Sequence, residues 1–277
     1  MKYVVLVGDG MADYPLKDLE DKTPLEIART PNMDKIARDG AGGLARTVPK
    51  GMEPGSDVAN LSILGYNPKE CYTGRGPLEA LALGIKLEKG QIAFRCNFVT
   101  VSEGLMADYS GGHITTEEAK VLIELLNKKL GSERVQFYPG VSYRNIVVID
   151  ESVLGGWGSL SCVPPHDISG KPVSMNLPEG KGSKFLIDLM NRSRDVLAGA
   201  NVNKIKLDLG ENPANMIWLW GQGKTPALKN FKERFGVKGG MISAVALLKG
   251  IGHAAGMEII TVPGATGYYD TNYKGKA

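Results

Sequence analysis

The chain has 277 residues, of which 43% are hydrophobic and 23% charged, a balance that suits a packed globular protein and excludes a disordered one. Its formal charge is only +3 and its Lys and Arg residues form no basic run, which argues against nucleic acid as a partner. Cys71, Cys96 and Cys162 lack CxxC spacing, against a zinc knuckle or a redox pair, and the apolar run before Gly8 is too short for a signal peptide or a membrane span. A cytoplasmic protein with no membrane partner is therefore expected.

Tyr3–Val7 is a continuous apolar, β-branched run that stops at Gly8-Asp9-Gly10, which predicts a buried parallel strand ending in a tight loop. Thr23-Pro24-Leu25-Glu26 combines an N-cap, a proline at the first helical position and a capping-box Glu. Thr30-Pro31 repeats the cap and proline before a helix that Gly40 ends. Residues 41–64 are rich in Gly and Pro, a loop running into a helix that carries Ser56 to Leu64.

Residues 92–101 alternate as in a half-exposed strand, with Ala93, Arg95, Asn97 and Val99 on one face and Ile92, Phe94, Cys96 and Phe98 on the other. Thr115 and Glu118 form a second capping box, and Ala119, Leu122, Ile123, Leu126 and Leu130 recur at helical spacing up to Gly131. Arg144–Asp150, Lys204–Leu209 and Met216–Trp220 read as further strands. Past Lys238 the pattern is strand (239–245), helix (246–255), strand (258–262), a βαβ-like unit of the kind found in parallel sheets. The fold class expected is α/β, a doubly wound sheet interrupted by an inserted α+β domain, with domains at 1–85, 86–236 and 237–277.

Asp9 directly follows a predicted parallel strand, where α/β proteins bind ligands, and its carboxylate suits a divalent cation; the competing reading is an Asp that caps the next turn. Ser56 lies between Gly55 and Asp57 at a loop-to-helix junction, where free N–H groups would stabilise a phosphate on its hydroxyl; the competing reading is a plain N-cap.

GDGMAD at 8–13, EPGSDVANLSILGYNP at 53–68 and YTGRGPLEA at 72–80 together resemble the archaeal-type cofactor-independent phosphoglycerate mutases of the alkaline phosphatase superfamily. FRCNFV at 94–99, PPHDISGKP at 164–172, WLWGQG at 218–223 and PGATGYYDTNYKGKA at 263–277 continue the likeness in order along the whole chain. The resemblance implies an alkaline-phosphatase-like metal domain with an inserted domain that closes over phosphoglycerate. Ser56 then matches the nucleophile and Asp9 a metal ligand, with Ser56 also touching metal. Two divalent cations are implied, manganese first, with zinc or magnesium as alternatives.

Asn60, which follows the nucleophile, and Arg75 in YTGRG become candidate substrate contacts, as do Arg95, Asp108, His113, Arg144, His166 and Asp167. Each has a plain alternative: a surface ion pair for Arg75, a structural histidine for His113 or His166. His253, inside a predicted helix, reads as structural. The family takes most of its metal ligands from a C-terminal segment, so the chain is expected to be its N-terminal two-thirds, with part of the sheet domain missing and little activity alone. The intact protein would interconvert 3-phosphoglycerate and 2-phosphoglycerate through phosphoserine. The alternatives are another metal-dependent phosphoesterase or phosphomutase of the superfamily and a non-catalytic anion-binding fragment.

Overall fold

A computed structural model describes residues 1–277, which fall into two compact units, Met1–Arg46 and Thr47–Ala277. In the first unit a 3-10 turn, Lys17–Leu19, precedes α1 (Pro24–Ile27) and α2 (Pro31–Asp39). The capping box forms as the sequence predicts: Thr23 N–H donates to the Glu26 carboxylate at 2.7 Å, and Glu26 N–H to the Thr23 hydroxyl at 3.2 Å. The strand expected at Tyr3–Val7 is absent, and Val4 and Leu6 are 87% and 90% exposed. A parallel strand needs neighbours to take its N–H and C=O groups, and this unit contains no strand to pair with.

The second unit starts with α3 (Ser56–Ile63), α4 (Pro68–Cys71) and α5 (Arg75–Ala82), then enters a sheet through β1 (Gln91–Ser102) and β2 (Leu105–Asp108). There follow α6 (Thr116–Leu130), β3 (Val135–Val141), β4 (Arg144–Asp150), α7 (Glu151–Leu154), α8 (Ser183–Ala198), α9 (Asn201–Asp208) and β5 (Met216–Gly223). The chain closes with α10 (Phe231–Phe235), β6 (Gly240–Met241), α11 (Ala246–Ala254), β7 (Glu258–Ile259) and α12 (Tyr273–Lys276).

β1 is the spine of a five-stranded antiparallel sheet. It pairs with β4 from Gln91↔Asp150 to Asn97↔Arg144, with β5 through Asn97↔Trp218, and with β2 at its far end, while β3 lies outside β4. Ile92, Phe94, Cys96 and Phe98 of β1 pack with Leu122 and Leu126 of α6 and Leu186 and Met190 of α8 in the main core. The other face is covered as well: Ala93 packs with Ile146, Val148 and Ala80 of α5. The half-exposed strand expected here is thus buried on both faces from Ile92 to Val101, and Arg95 and Asn97 lie on the face that α5 covers.

A separate core joins Leu61, Tyr66, Cys71 and Leu78 to Leu247, Ile251 and Ala255, so the segment before the sheet packs against α11, far along the chain. Here the expected strands 239–245 and 258–262 shrink to two parallel pairs, Gly240↔Glu258 and Met241↔Ile259. The strand expected at Lys204–Leu209 is helix α9. Its alternating apolar residues Ile205, Leu207 and Leu209 point to solvent, whereas Asn203 and Lys206, one helical turn apart, are the buried ones. Asn203 bonds the Leu197 and Ala214 carbonyls and the Ala214 N–H, each at 2.9 Å, so polar saturation rather than apolar burial anchors the helix.

Candidate functional site

Ser56 is the first residue of α3; Gly55 is the N-cap, in extended backbone, and no side chain caps the helix. The Ser56 hydroxyl therefore has no capping role and makes no hydrogen bond within the protein. Asp57 is buried beneath it: its Oδ1 accepts from Val58 N–H at 3.0 Å and its Oδ2 from the Tyr72 hydroxyl at 2.6 Å. Burial and the neighbouring Asp57 both push the Tyr72 phenol up, so it stays the donor of that bond. A Cβ at Gly55 would lie 2.4 Å from Asp57 Oδ1, so a larger residue there would have to displace that carboxylate. Asn60 directs its amide at the Ser56 carbonyl, 2.8 Å away, leaving its side-chain oxygen for any other partner.

Arg75 opens α5, and close backbone packing places it. A Cβ at Gly76 would lie 2.6 Å from the Ala93 carbonyl oxygen, and one at Gly223 would lie 2.3 Å from that of Thr73. The glycines of YTGRG and WGQG thus let α5 sit directly on β1 and β5. On the other side, a Cβ at Gly250 of α11 would meet the Leu78 carbonyl oxygen at 1.9 Å. α5 is clasped between the sheet and α11 without intervening side chains at these points.

This apposition brings Arg75 and Arg95 together. Their Nε atoms lie 3.4 and 3.2 Å from the two oxygens of Glu79, close enough for ion pairing yet without hydrogen-bond geometry. Their Cζ atoms stand 5.7 and 4.5 Å from the centre of the Trp220 ring, the range of a cation–π contact. Trp220 is fixed by an Nε1–H bond to Asn97 Oδ1 at 3.1 Å. Burial lowers the Arg95 pKa to about 10, with Arg75 and Arg144 adding to the effect and Glu79 opposing it, so the guanidinium remains charged at neutral pH.

His166 stands edge-on to Trp220, with ring centres 5.4 Å apart, and Tyr109 and Tyr143 continue the row at 6.3 and 6.0 Å. Arg144 covers Tyr143 at 5.3 Å, so an array of four rings carries arginines at both ends. The segment bearing His166 is tied to β5 twice: Trp218 Nε1–H donates to the Val163 carbonyl at 2.8 Å and Gln222 to that of Leu160 at 2.7 Å. Burial lowers the His166 pKa and Arg75 and Arg95 lower it further, against Asp167, whose Oδ1 lies 3.7 Å from Nε2.

The structure therefore gathers four sequence-predicted residues, Arg75, Arg95, Arg144 and His166, with Asp167 at the margin. Asp108 and His113 line a different depression beside Lys206 and Glu211. There Asp108 accepts from Ser110 N–H, Ser110 Oγ–H and Gly112 N–H at 2.7, 2.6 and 2.9 Å, which shapes the loop that presents Tyr109. Lys206 Nζ braces the same loop by donating to the Gly112 carbonyl at 3.2 Å, and it pairs with Glu211 at 3.0 Å. His113 holds a left-handed conformation with φ 50°. Asp9 occupies an exposed turn of the first unit. Nowhere do three His, Cys, Asp or Glu side chains gather in a way that could hold a metal ion, so the residues present do not by themselves build a metal centre.

Sequence reasoning missed Glu79, Asn97, Tyr109 and Trp220. Glu79 alone left a local signal, since it follows Arg75 by one helical turn.

The family model described as 2,3-bisphosphoglycerate-independent phosphoglycerate mutase matches residues 37–203. Two proteins of that name, from Methanothrix thermoacetophila and Methanosarcina acetivorans, are 58% and 53% identical to the chain, covering 100% of it and 69% of their own length. Among solved structures, a protein from Pyrococcus horikoshii superposes with a TM-score of 0.73 at 32% identity, over 95% of this chain and 62% of its own. A cofactor-independent phosphoglycerate mutase from Thermoplasma acidophilum gives 0.55 at 29%, over 96% of this chain and 70% of its own.

Proposed function

Because the chain belongs to the 2,3-bisphosphoglycerate-independent phosphoglycerate mutase family, we propose that its protein interconverts 3-phosphoglycerate and 2-phosphoglycerate through a phosphoserine at Ser56. One observation carries this reading: Arg75 and Arg95 turn their Nε edges to Glu79 and face Trp220, and their Nη groups have no hydrogen-bond partner in the protein. Two such forks suit a ligand with a carboxylate and a phosphate, and His166 and Arg144 extend the cationic lining.

In the reaction the P–O bond to one glycerate hydroxyl breaks as a bond to Ser56 Oγ forms, and the serine proton passes to the released oxygen. The arginines retain glycerate while it turns. The phosphoryl group then returns to the other hydroxyl, whose proton goes back to Ser56. The uncapped N–H groups of Ser56 and Asp57 at the positive end of α3 favour a phosphate on Ser56, Val58 N–H being already taken by Asp57 Oδ1. Two divalent cations, with manganese first and zinc or magnesium as alternatives, belong to this reading through the family; they would neutralise charge on the phosphoryl oxygens, and Asp9 and Ser56 would be this chain's contributions.

The same reading carries the finer architecture, an alkaline-phosphatase-like sheet domain from 1–85 and 237–277 with 86–236 inserted. The core that joins Leu61 and Leu78 to Leu247 and Ile251, apart from the main core over β1, supports it. No helix is long and apolar enough to cross a membrane; the cytoplasmic, glycolytic role belongs to this reading through the family. The test uses the complete encoded polypeptide in an enolase-coupled assay, with 32P-labelled substrate to trap phosphoserine. Label on Ser56 and mutase turnover support the reading; net release of phosphate without turnover replaces it with a phosphoesterase.

A further inference from the structure

Two like-charged guanidinium groups packed side by side repel each other, and Arg95 is only 5% exposed. Something must hold the pair in place before any anion arrives. Glu79 does so along one edge: Oε1 faces Nε of Arg75 and Oε2 faces Nε of Arg95. Trp220 does so across the flat sides, and its ring is immobilised by Asn97, itself 1% exposed. With Nε turned to Glu79 and one flat side to Trp220, each guanidinium keeps its Nη groups for a ligand.

We propose that Glu79 and Trp220 are positioning residues that lock Arg75 and Arg95 into a single anion clamp and thereby set the affinity for phosphoglycerate. The proposal rests on the phosphoglycerate reading above and adds two residues that touch no substrate. It also makes a prediction of opposite sign to simple electrostatics. A carboxylate beside an anion site repels the anion, so by charge alone deleting Glu79 should tighten binding. If Glu79 is a positioner, deleting its charge frees two mutually repelling forks and weakens binding.

The test is steady-state kinetics of the complete polypeptide with Glu79→Gln, Trp220→Phe and Trp220→Leu, with thermal melts to show that each variant folds. Glu79→Gln should raise KM for 3-phosphoglycerate about tenfold while kcat stays within about threefold, since a preformed clamp contributes equally to ground and transition states. Trp220→Leu should do the same, and Trp220→Phe, which keeps a ring face, should recover to within about threefold of the parent. An unchanged or lowered KM in Glu79→Gln overturns the clamp, as does a Phe variant no better than Leu. A parent that does not turn over phosphoglycerate overturns the functional reading instead. The clamp is then judged by calorimetric binding of inorganic phosphate to the same variants, where weaker binding to Glu79→Gln sustains it and equal or tighter binding ends it.

Discussion

Trp220 on β5 and Asn97 on β1 are 123 residues apart in the chain, yet the indole N–H of one donates to the side-chain oxygen of the other at 3.1 Å, both residues being buried. Replacing Asn97 with Leu leaves that donor buried and unpaired, which should cost about 1–3 kcal/mol. Urea unfolding followed by circular dichroism measures it. A loss within experimental error would show that the bond is replaceable by water or by repacking.

The glycine contacts along α5 give a purely steric prediction, because Gly76 and Gly250 lie outside the left-handed region. Gly250→Ala places a methyl 1.9 Å from a main-chain oxygen and should destabilise the protein by about 1–3 kcal/mol, through strain that side chains cannot relieve. Gly158→Ala, with nothing within 4 Å of the new carbon, is the matched control and should be near neutral. Equal melting temperatures for the two variants would contradict the close packing.

Ser56 offers a clean separation of chemistry from folding. Its hydroxyl neither caps α3 nor bonds to any protein group, so Ser56→Ala should stay within about 0.5 kcal/mol of the parent in stability. On the phosphoserine reading, phosphoryl transfer should fall at least about a thousandfold, because the hydroxyl that would carry the phosphoryl group is gone. Retained turnover with unlabelled protein would remove Ser56 from the mechanism.

The Asp108 loop predicts a pH dependence. Burial works against the charged carboxylate, but bonds from the Ser110 hydroxyl, the Ser110 amide and the Gly112 amide outweigh it, so the group lies below its ordinary value of 3.8. The folded protein thus keeps the carboxylate more readily than the unfolded chain. The stability this contributes is complete above pH 3.8 and is lost as the pH falls through the lowered folded value. Asp108→Asn should therefore melt below the parent near neutral pH, and the gap should close in acid. Melts at pH of about 7, 5 and 3 decide the matter, and a constant gap would assign the effect to shape rather than charge.

What could be read from the sequence was what is local. The capping boxes at Thr23 and Thr115, the amphipathic repeat from Ala119 to Leu126 and the terminating Gly131 are each specified by neighbours within a turn or two, and each forms as expected. Residues 204–209 misled because a short alternating run fits a strand as well as a helix, and here the informative residues were the buried polar ones, Asn203 and Lys206. Arg75, Arg95, Arg144 and His166 were legible as residue types. Their meeting was not, since it depends on Trp220, on Glu79 and on backbone approach at Gly76 and Gly223, none of which has a periodic signature. Tyr3–Val7 shows the reverse: a strong strand pattern that no strand in its own unit completes.

The clasped helix α5 has a consequence for how the spacing of the two arginines is set. Arg75 moves with α5 and Arg95 with β1, so the gap between the two forks is gauged by main chain resting on main chain, like the jaws of a caliper set by its frame. Ordinary side-chain variation elsewhere cannot reset that gap. A change in that spacing would have to come through the glycines that set the backbone, or through Glu79 and Trp220, which hold the guanidinium groups.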